Sequence, residues 1–456
     1  MQNALQYAKD NAREFRQQLF DLLNIPSVST DPERAGAVRE AAEWLADNMR
    51  RAGIENVAIM ETEGHPVVYG DWLHADDAPT VLIYGHYDVQ PAVIEDGWDT
   101  DPFKPVEIDG KIYARGATDD KGQAFTHVKA VESLLQAEGA LPVNVKFIIE
   151  GEEEIGSPHL APFVEAHKDK LAADVCIISD SGIVAEDQPS IVYALRGLTA
   201  LEIEVQGPSK DLHSGMYGGA VHNPVQALAE IVAQLHNTDG SVSVPGFYDD
   251  VVLLTNEERV ELKKTAVTEE EWTNRSGAPQ PWGEPEFTIS ERIGARPTLE
   301  INGMAGGFYG EGVKTVLPAK AFAKITCRLV ANQDPDKIFD AIKAHVEAIT
   351  PPSVRVDVHR LKGSGHPALI ELDTPAMQAA MRAYANVWGK DPVFMREGGS
   401  IPVVADFQQI LGLPVVLMGF GLNTDGAHGP NEHFHLTMFS RGIDTSMHFM
   451  HEIAQR

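Results

Sequence analysis

The sequence predicts an α/β fold, with a mostly parallel central sheet into which a smaller split βαβ (ferredoxin-like) domain is inserted. Three observations carry this. The first 190 or so residues alternate helical spacing with short continuous apolar runs, the mark of strands buried on both faces. The same pattern returns near the end of the chain. Between the two lies a segment whose strands instead alternate apolar and polar residues, as in a sheet with one face in water. At 456 residues the chain also exceeds what one hydrophobic core supports.

In the first segment, Leu5 to Leu23 and Glu33 to Ala52 have helical spacing, and Val81 to Tyr84, Val145 to Ile149 and Val175 to Ile178 are the buried runs. The pattern resumes with a helix around Thr374 to Val387, a strand from Pro414 to Met418 and a final helix from Leu436. In the middle, Leu201, Ile203 and Val205 alternate with polar residues. Asn223-Pro224 opens a helix with proline at its first position, and strands follow at Thr298 to Asn302 and Ala321 to Leu329. Asp334-Pro335 opens a second helix, and Val354 to Val358 is a fourth strand. The order strand, helix, strand, strand, helix, strand is the split βαβ arrangement. It predicts a discontinuous domain of residues 1–194 and 363–456, with residues 195–362 as the insertion; Asp239 to Pro297 reads as a long polar loop within it.

Composition narrows the function. Apolar residues make up 43% and charged residues 23%, a globular balance. Against 37 basic residues stand 67 acidic ones, a net charge of −30, which argues against nucleic acid or an acidic membrane as partner. No apolar run approaches the roughly 18 residues of a membrane span. Cys176 and Cys327, far apart and each within an apolar run, read as buried free thiols in a reducing compartment. With no apolar signal core after Met1, a cytoplasmic protein is expected.

The residues able to do chemistry sit just past the strand ends, where open α/β sheets build their sites. Gly85-His86-Tyr87-Asp88-Val89 follows the first buried run, Glu150 to Ser157 the second, Ser179-Asp180 the third, and Ala427 to Glu432 the strand near the C-terminus. The turn Arg115 to Gly122 leads into a helix that could face the same crevice. A single strand-end histidine is usually a hydrogen-bonded core residue, and an acid cluster is usually a solvated face. Here five such coincidences meet at one edge of one sheet. Two histidines with several carboxylates form a nitrogen–oxygen donor set suited to zinc, manganese or cobalt. There is no HExxH, G-x-S-x-G, Walker sequence or complete G-x-G-x-x-G to support a rival chemistry.

Gly85 to Val89, Gly116-Ala117-Thr118-Asp119-Asp120-Lys121-Gly122, Glu153-Glu154 before Gly156-Ser157, and Asp211-Leu212-His213-Ser214-Gly215 together resemble the co-catalytic zinc exopeptidase family. That family contains carnosinases and other dipeptidases, acetylornithine deacetylase, succinyl-diaminopimelate desuccinylase and aminoacylases. The resemblance implies two divalent metal ions per chain, zinc being the expected ion and manganese or cobalt the alternatives. It implies His86, Asp119 and Asp180 as ligands of one ion and Asp119, Glu154 and His428 as ligands of the other. Asp88 would orient His86, Glu153 would be the general base, and the Asp119–Asp120 peptide would be cis. His213 would stabilise the oxyanion, reaching across a homodimer from the inserted domain, which would serve as lid and dimerisation surface.

Arg328, His366 and Ser400 are similar to the residues that bind the substrate carboxylate in dipeptidase members, and Gly398 and Gly399 would let the backbone approach a ligand closely. Asp180, rather than Glu, stands at the ligand position usual in dipeptidases. With the long insertion, it points to hydrolysis of an amide bond in a dipeptide or similar small peptide. An N-acyl amino acid deacylase using the same centre is the nearest alternative, and a metal-binding protein without catalysis a remote one.

Overall fold

The computed structural model describes residues 1–399 and 401–455. It divides into two compact units: Met1–Tyr193 with Ile370–Met395 and Val403–Arg456, and Ala194–Leu369 with Arg396–Pro402. The first unit opens with helices α1 (Gln2–Asp10), α2 (Ala12–Leu23) and α3 (Ala35–Ala52). The helical run read from Leu5 to Leu23 is therefore two helices, broken at Asn11. Strands β1 (Glu55–Met60), β2 (Val67–Trp72) and β3 (Thr80–His86) lead to helix α4 (Lys121–Glu138), followed by β4 (Asn144–Glu150), β5 (Val175–Ile178) and β6 (Ser190–Leu195).

The second unit holds β7 (Gly197–Gln206), helix α5 (Pro224–Ala233), short helices α6 (Asn256–Leu262), α7 (Glu269–Ser276) and α8 (Ile289–Gly294), then β8 (Thr298–Gly306), β9 (Lys320–Leu329), helix α9 (Pro335–Ile349) and β10 (Arg355–Arg360). The chain returns to the first unit with α10 (Pro375–Trp388), β11 (Val415–Leu417) and α11 (Leu436–Ile453).

The central sheet, nine-stranded in all, includes the run β1-β2-β4-β3-β5-β11-β6. Its centre, β4-β3-β5-β11, is parallel, while β1, β2 and β6 join antiparallel at the margins. The four parallel strands are those whose apolar runs are continuous in sequence, and residues such as Leu82, Phe147 and Ile177 are wholly buried. Because these strands are neighbours and point the same way, their carboxyl ends form one edge. His86, Glu150 and Ile178 end β3, β4 and β5 there, and Leu417 ends β11.

The second unit is a four-stranded antiparallel sheet in the order β8-β9-β7-β10. The alternating residues Leu201, Ile203, Val205, Ala323, Ile325 and Cys327 turn one face toward Leu228 and Ile231 of α5 and Ile338, Ile342 and Val346 of α9. Asn223 and Asp334 cap these helices through their side chains, each followed by proline at the first helical position. The stretch read as a polar loop contains α6, α7 and α8. Each opens on a reciprocal capping box, Thr255–Glu258, Thr268–Glu271 and Thr288–Glu291, so short helices stand where composition alone suggested none. None of the described helices is long and apolar enough to cross a membrane.

Candidate metal centre

The parallel sheet edge gathers residues far apart in sequence. His86, at the end of β3, is fully buried, and its Nδ1 lies 3.0 Å from the backbone oxygen of Asp88. A proton on Nδ1 makes that hydrogen bond and leaves the Nε2 lone pair facing outward. Nε2 is 3.2 Å from Asp119 Oδ1 and 4.0 Å from Asp180 Oδ2. On the other side, His428 Nε2 lies 2.9 Å from Asp119 Oδ2 and 3.2 Å from Glu154 Oε2. Asp119 thus offers one oxygen to each histidine. The donor atoms of His86, Asp119 and Asp180, and those of Asp119, Glu154 and His428, each lie within 4.8 Å of one another.

Supporting contacts hold these groups. The Asp119–Asp120 peptide is cis. Glu432, wholly buried, accepts hydrogen bonds from Arg115 Nη1 (2.6 Å) and from the backbone N–H groups of Gly116, Thr118 and Asp119 (3.1, 3.0 and 3.2 Å), fixing the turn that presents Asp119. Asp88 contacts His86 through its backbone carbonyl, with a carboxylate oxygen 3.4 Å from Nδ1. That carboxylate accepts from the N–H groups of Glu153 (3.2 Å) and Glu154 (3.1 Å), which seats the turn carrying both acids. Gln90 Nε2 donates to Glu154 Oε2 at 2.7 Å. Glu432 and Gln90 received no role from the sequence. The only signal for Glu432 was its place in the same loop as His428.

The electrostatics are those of an acid-rich pocket. Burial pushes the Glu153 carboxyl well above the usual carboxylate range; His86 opposes, while Asp180, Glu154 and Asp119 add to the rise. Asp180 is pushed up to about 7 by burial and by Asp119, against His86. Burial would also raise Asp119, but its contacts with His428 and His86 hold it below the carboxylate range. His428 is raised to about 10 by Asp119 and Glu154, with burial opposing. Carboxylates crowded in this way are relieved by added positive charge, and the nitrogen–oxygen donors fit a divalent cation.

The remaining predicted residues that the structure describes belong to the second unit. His213 is exposed at the end of the two-residue strand Leu212–His213, and its Nδ1 accepts from Gly215 N at 3.0 Å. That bond leaves Nε2 to carry the proton of the neutral ring. Arg328 is half-buried on β9, opposite Leu198 of β7 and Thr298 of β8. Gly365 exchanges two backbone hydrogen bonds of 2.9 Å with Leu198, which places the exposed His366 beside the start of β7. The Gly399 carbonyl accepts from Arg196 N at 3.0 Å. Ser400 lies outside the described residues. Arg196 was missed in the sequence. Its Nε donates to Gly398 O at 3.0 Å, and burial together with the positive charge of Arg328 lowers its pKa to about 10.

Residues 82–452 match the model of the peptidase family M20/M25/M40. The chain is 35% identical to the Cys-Gly metallodipeptidase of Schizosaccharomyces pombe, over 97% of this chain and 96% of that one. It is 34% identical to the Beta-Ala-His dipeptidase of Homo sapiens, over 100% and 93% of the two chains. Among solved structures it is similar to the M20 metallo-carboxypeptidase Sso-CP2 of Sulfolobus solfataricus, with a TM-score of 0.86, 33% identity and coverage of 97% and 100%. With most of its length matched and relatives this similar across their whole chains, the chain belongs to the M20/M25/M40 peptidase family.

Proposed function

We infer that this protein is a metal-dependent dipeptidase. The observation that carries the reading is Asp119, whose two oxygens face two different donor sets beside a second, non-bridging acid, Glu153. His86, Asp119 and Asp180 would hold one ion and Asp119, Glu154 and His428 the other, with zinc the best match to the donors and manganese or cobalt compatible with them. When bound, two such ions lower the pKa of a water and polarise the scissile carbonyl.

The chain's own groups do the rest. Glu153 accepts the proton of the attacking water and returns it to the leaving nitrogen. The N–H of Glu153 is held by the Asp88 carboxylate at 3.2 Å, which seats it beside the proposed ligands without making it one of them. His213 donates from Nε2 to the oxygen on which negative charge develops. Arg328, with Arg196 near enough to feel its charge, grips the substrate's free carboxylate together with His366, Gly399 and Ser400. The working unit is a homodimer in which His213 serves the partner's centre. Two buried, free cysteines suit a cytoplasmic protein.

Likeness to the metallo-carboxypeptidase favours one second reading, release of a C-terminal residue from longer peptides, which uses the same carboxylate grip. A substrate panel separates the readings. Cys-Gly, β-Ala-His, longer peptides and N-acetyl amino acids would be tested with zinc, manganese or cobalt and with chelator. Dipeptides should be cut best and chelator should abolish turnover. Preference for longer peptides would favour the carboxypeptidase, and preference for N-acyl substrates a deacylase. Amidating the dipeptide's C-terminus should slow cleavage roughly 10- to 100-fold, the worth of a lost charge-assisted hydrogen bond. Equal rates would remove Arg328 and its neighbours from the site.

A further inference from the structure

Beyond the Asp119 centre, a second cluster of metal-ligating side chains lies on the other side of Thr118. The short strand His433–His435 pairs antiparallel with Lys111–Tyr113, so His433 and His435 project to one face while Phe434 is fully buried on the other. Asp425 meets that face. Its Oδ2 is engaged, accepting from Leu422 N at 2.8 Å and Thr118 Oγ1 at 3.3 Å. Its Oδ1 is wholly buried and has no hydrogen-bond partner among the described residues. That orphaned oxygen lies 3.6 Å from His433 Nε2 and 3.6 Å from His435 Nε2.

The distances decide between two explanations. A hydrogen bond from an imidazole N–H to a carboxylate would be about 2.7–3.2 Å, and a buried carboxylate oxygen without a donor is costly. Atoms that each sit about 2.0–2.2 Å from one tetrahedral ion are roughly 3.3–3.6 Å apart. The two spacings to Asp425 Oδ1 match ligands around a shared ion, and all three donor atoms lie within 4.8 Å of one another. The tautomer agrees: His433 Nδ1 lies 3.0 Å from the Asn431 carbonyl, so Nδ1 carries the proton and Nε2 presents its lone pair. We propose that Asp425, His433 and His435 form a further binding site for a divalent transition-metal ion of the zinc type, separate from the Asp119 centre.

The site closes the base of a functional loop. His433 N donates to Asp425 O at 2.9 Å, so the two residues bracket the segment that carries His428. Thr118 links the clusters: its hydroxyl donates to Asp425, and its N–H and that of Asp119 both donate to Glu432. An ion held at Asp425 braces the His428 loop from behind. A built-in competitor stands beside it, for Lys111 Nζ is 3.3 Å from His433 Nε2. Its positive charge opposes a second cation there.

Equilibrium dialysis of the full chain against micromolar zinc, with metal counted by mass spectrometry, tests the proposal. The double variant His433→Gln/His435→Gln should bind one zinc fewer per chain than the parent. Because the readout is a difference, it does not depend on how many ions the Asp119 centre holds. Equal zinc content in parent and variant, with folding verified by circular dichroism, would overturn the site. Lys111→Met removes the competing charge and should tighten this one equivalent roughly tenfold; unchanged affinity would also count against it. If the double variant fails to fold, crystals of the parent grown with zinc still decide. Anomalous scattering at the zinc edge should show a peak bonded to both Nε2 atoms and to Asp425 Oδ1, and its absence there would overturn the proposal.

Discussion

The two units carry buried charge differently. In the second unit the buried Glu291 pairs with Arg259 at 2.8 Å, and Arg296 meets Glu284 through two bonds of 2.7 Å. Its core is otherwise apolar, from Leu201 and Ile325 to Ile342. In the first unit His86, Asp88, Asp120 and Glu150 are all buried near one sheet edge; burial pushes the carboxyls of Asp120 and Glu150 upward and neighbouring acids add to the rise, while the equally buried Glu432 is met by Arg115 at 2.6 Å. A fold does not gain stability from such crowding. The contrast teaches where a missing positive charge belongs, and therefore where the chemistry is done.

The largest expected effect breaks the chemistry while sparing the electrostatic frame. Glu153→Gln keeps size and hydrogen-bonding capacity but removes the base, so turnover should fall roughly 100- to 10,000-fold with metal content unchanged. Loss of metal from this variant would show that Glu153 and Glu154 have been assigned the wrong way round. A second experiment asks whether the two units of one chain serve one site. Mixing inactive His213→Ala and Glu153→Gln chains should restore about a quarter of parental activity if two-fold partners exchange His213, because only one site of each mixed dimer is intact. No recovery, with subunit exchange verified by mass, would sink the shared arrangement and leave the metal assignment standing.

A third experiment sharpens the contrast in stability. Ile325→Ala, in the apolar core of the second unit, should cost about 2–5 kcal/mol. That loss should be the same with or without chelator, because the packing it removes involves no ion. A chelator-dependent loss would mean that the second unit's stability also leans on bound metal.

What was legible in the sequence follows the same division. Continuous apolar runs identified β3, β4 and β5 because strands buried on both faces leave no room for polar residues. β2 escaped because its interior holds Gly70 and Asp71, residues that read as turn. Asp71 is tolerated there because Tyr69 Oη and Asn56 Nδ2 donate to it at 2.7 and 2.8 Å. Helices α6 to α8 escaped because at 7, 8 and 6 residues they are too short to show an apolar stripe, and their evidence lay in three Thr-x-x-Glu boxes. In the site, the motif residues could be named in advance. Glu432, Arg196 and Asp425 could not, since their importance lies in what they touch across long sequence separations.

The last effect, read as a slope against pH, concerns a buried acid outside the proposed ligand set. Glu150 ends β4 with its side chain buried, accepting from Tyr84 Oη at 2.7 Å and Ser157 Oγ at 2.8 Å. Burial, aided by Asp88, pushes its carboxyl from the ordinary 4.5 up to about 8, while the two hydroxyl donors and His86 oppose the shift. The folded chain therefore holds this proton more tightly than the unfolded chain. Its contribution to stability is fully present below about pH 4.5 and is lost as pH rises toward about 8. Glu150→Gln keeps the shape and cannot ionise, so the stability of the variant relative to the parent should climb across that window and level off above it. The slope should not exceed about 1.4 kcal/mol per pH unit, the value for one proton. Denaturant unfolding of both chains in chelator at a series of pH values measures it. A difference that stays flat from pH 4.5 to 8 would show that Glu150 is ionised in the fold, and that the first unit tolerates its crowded acids by some means other than protonation.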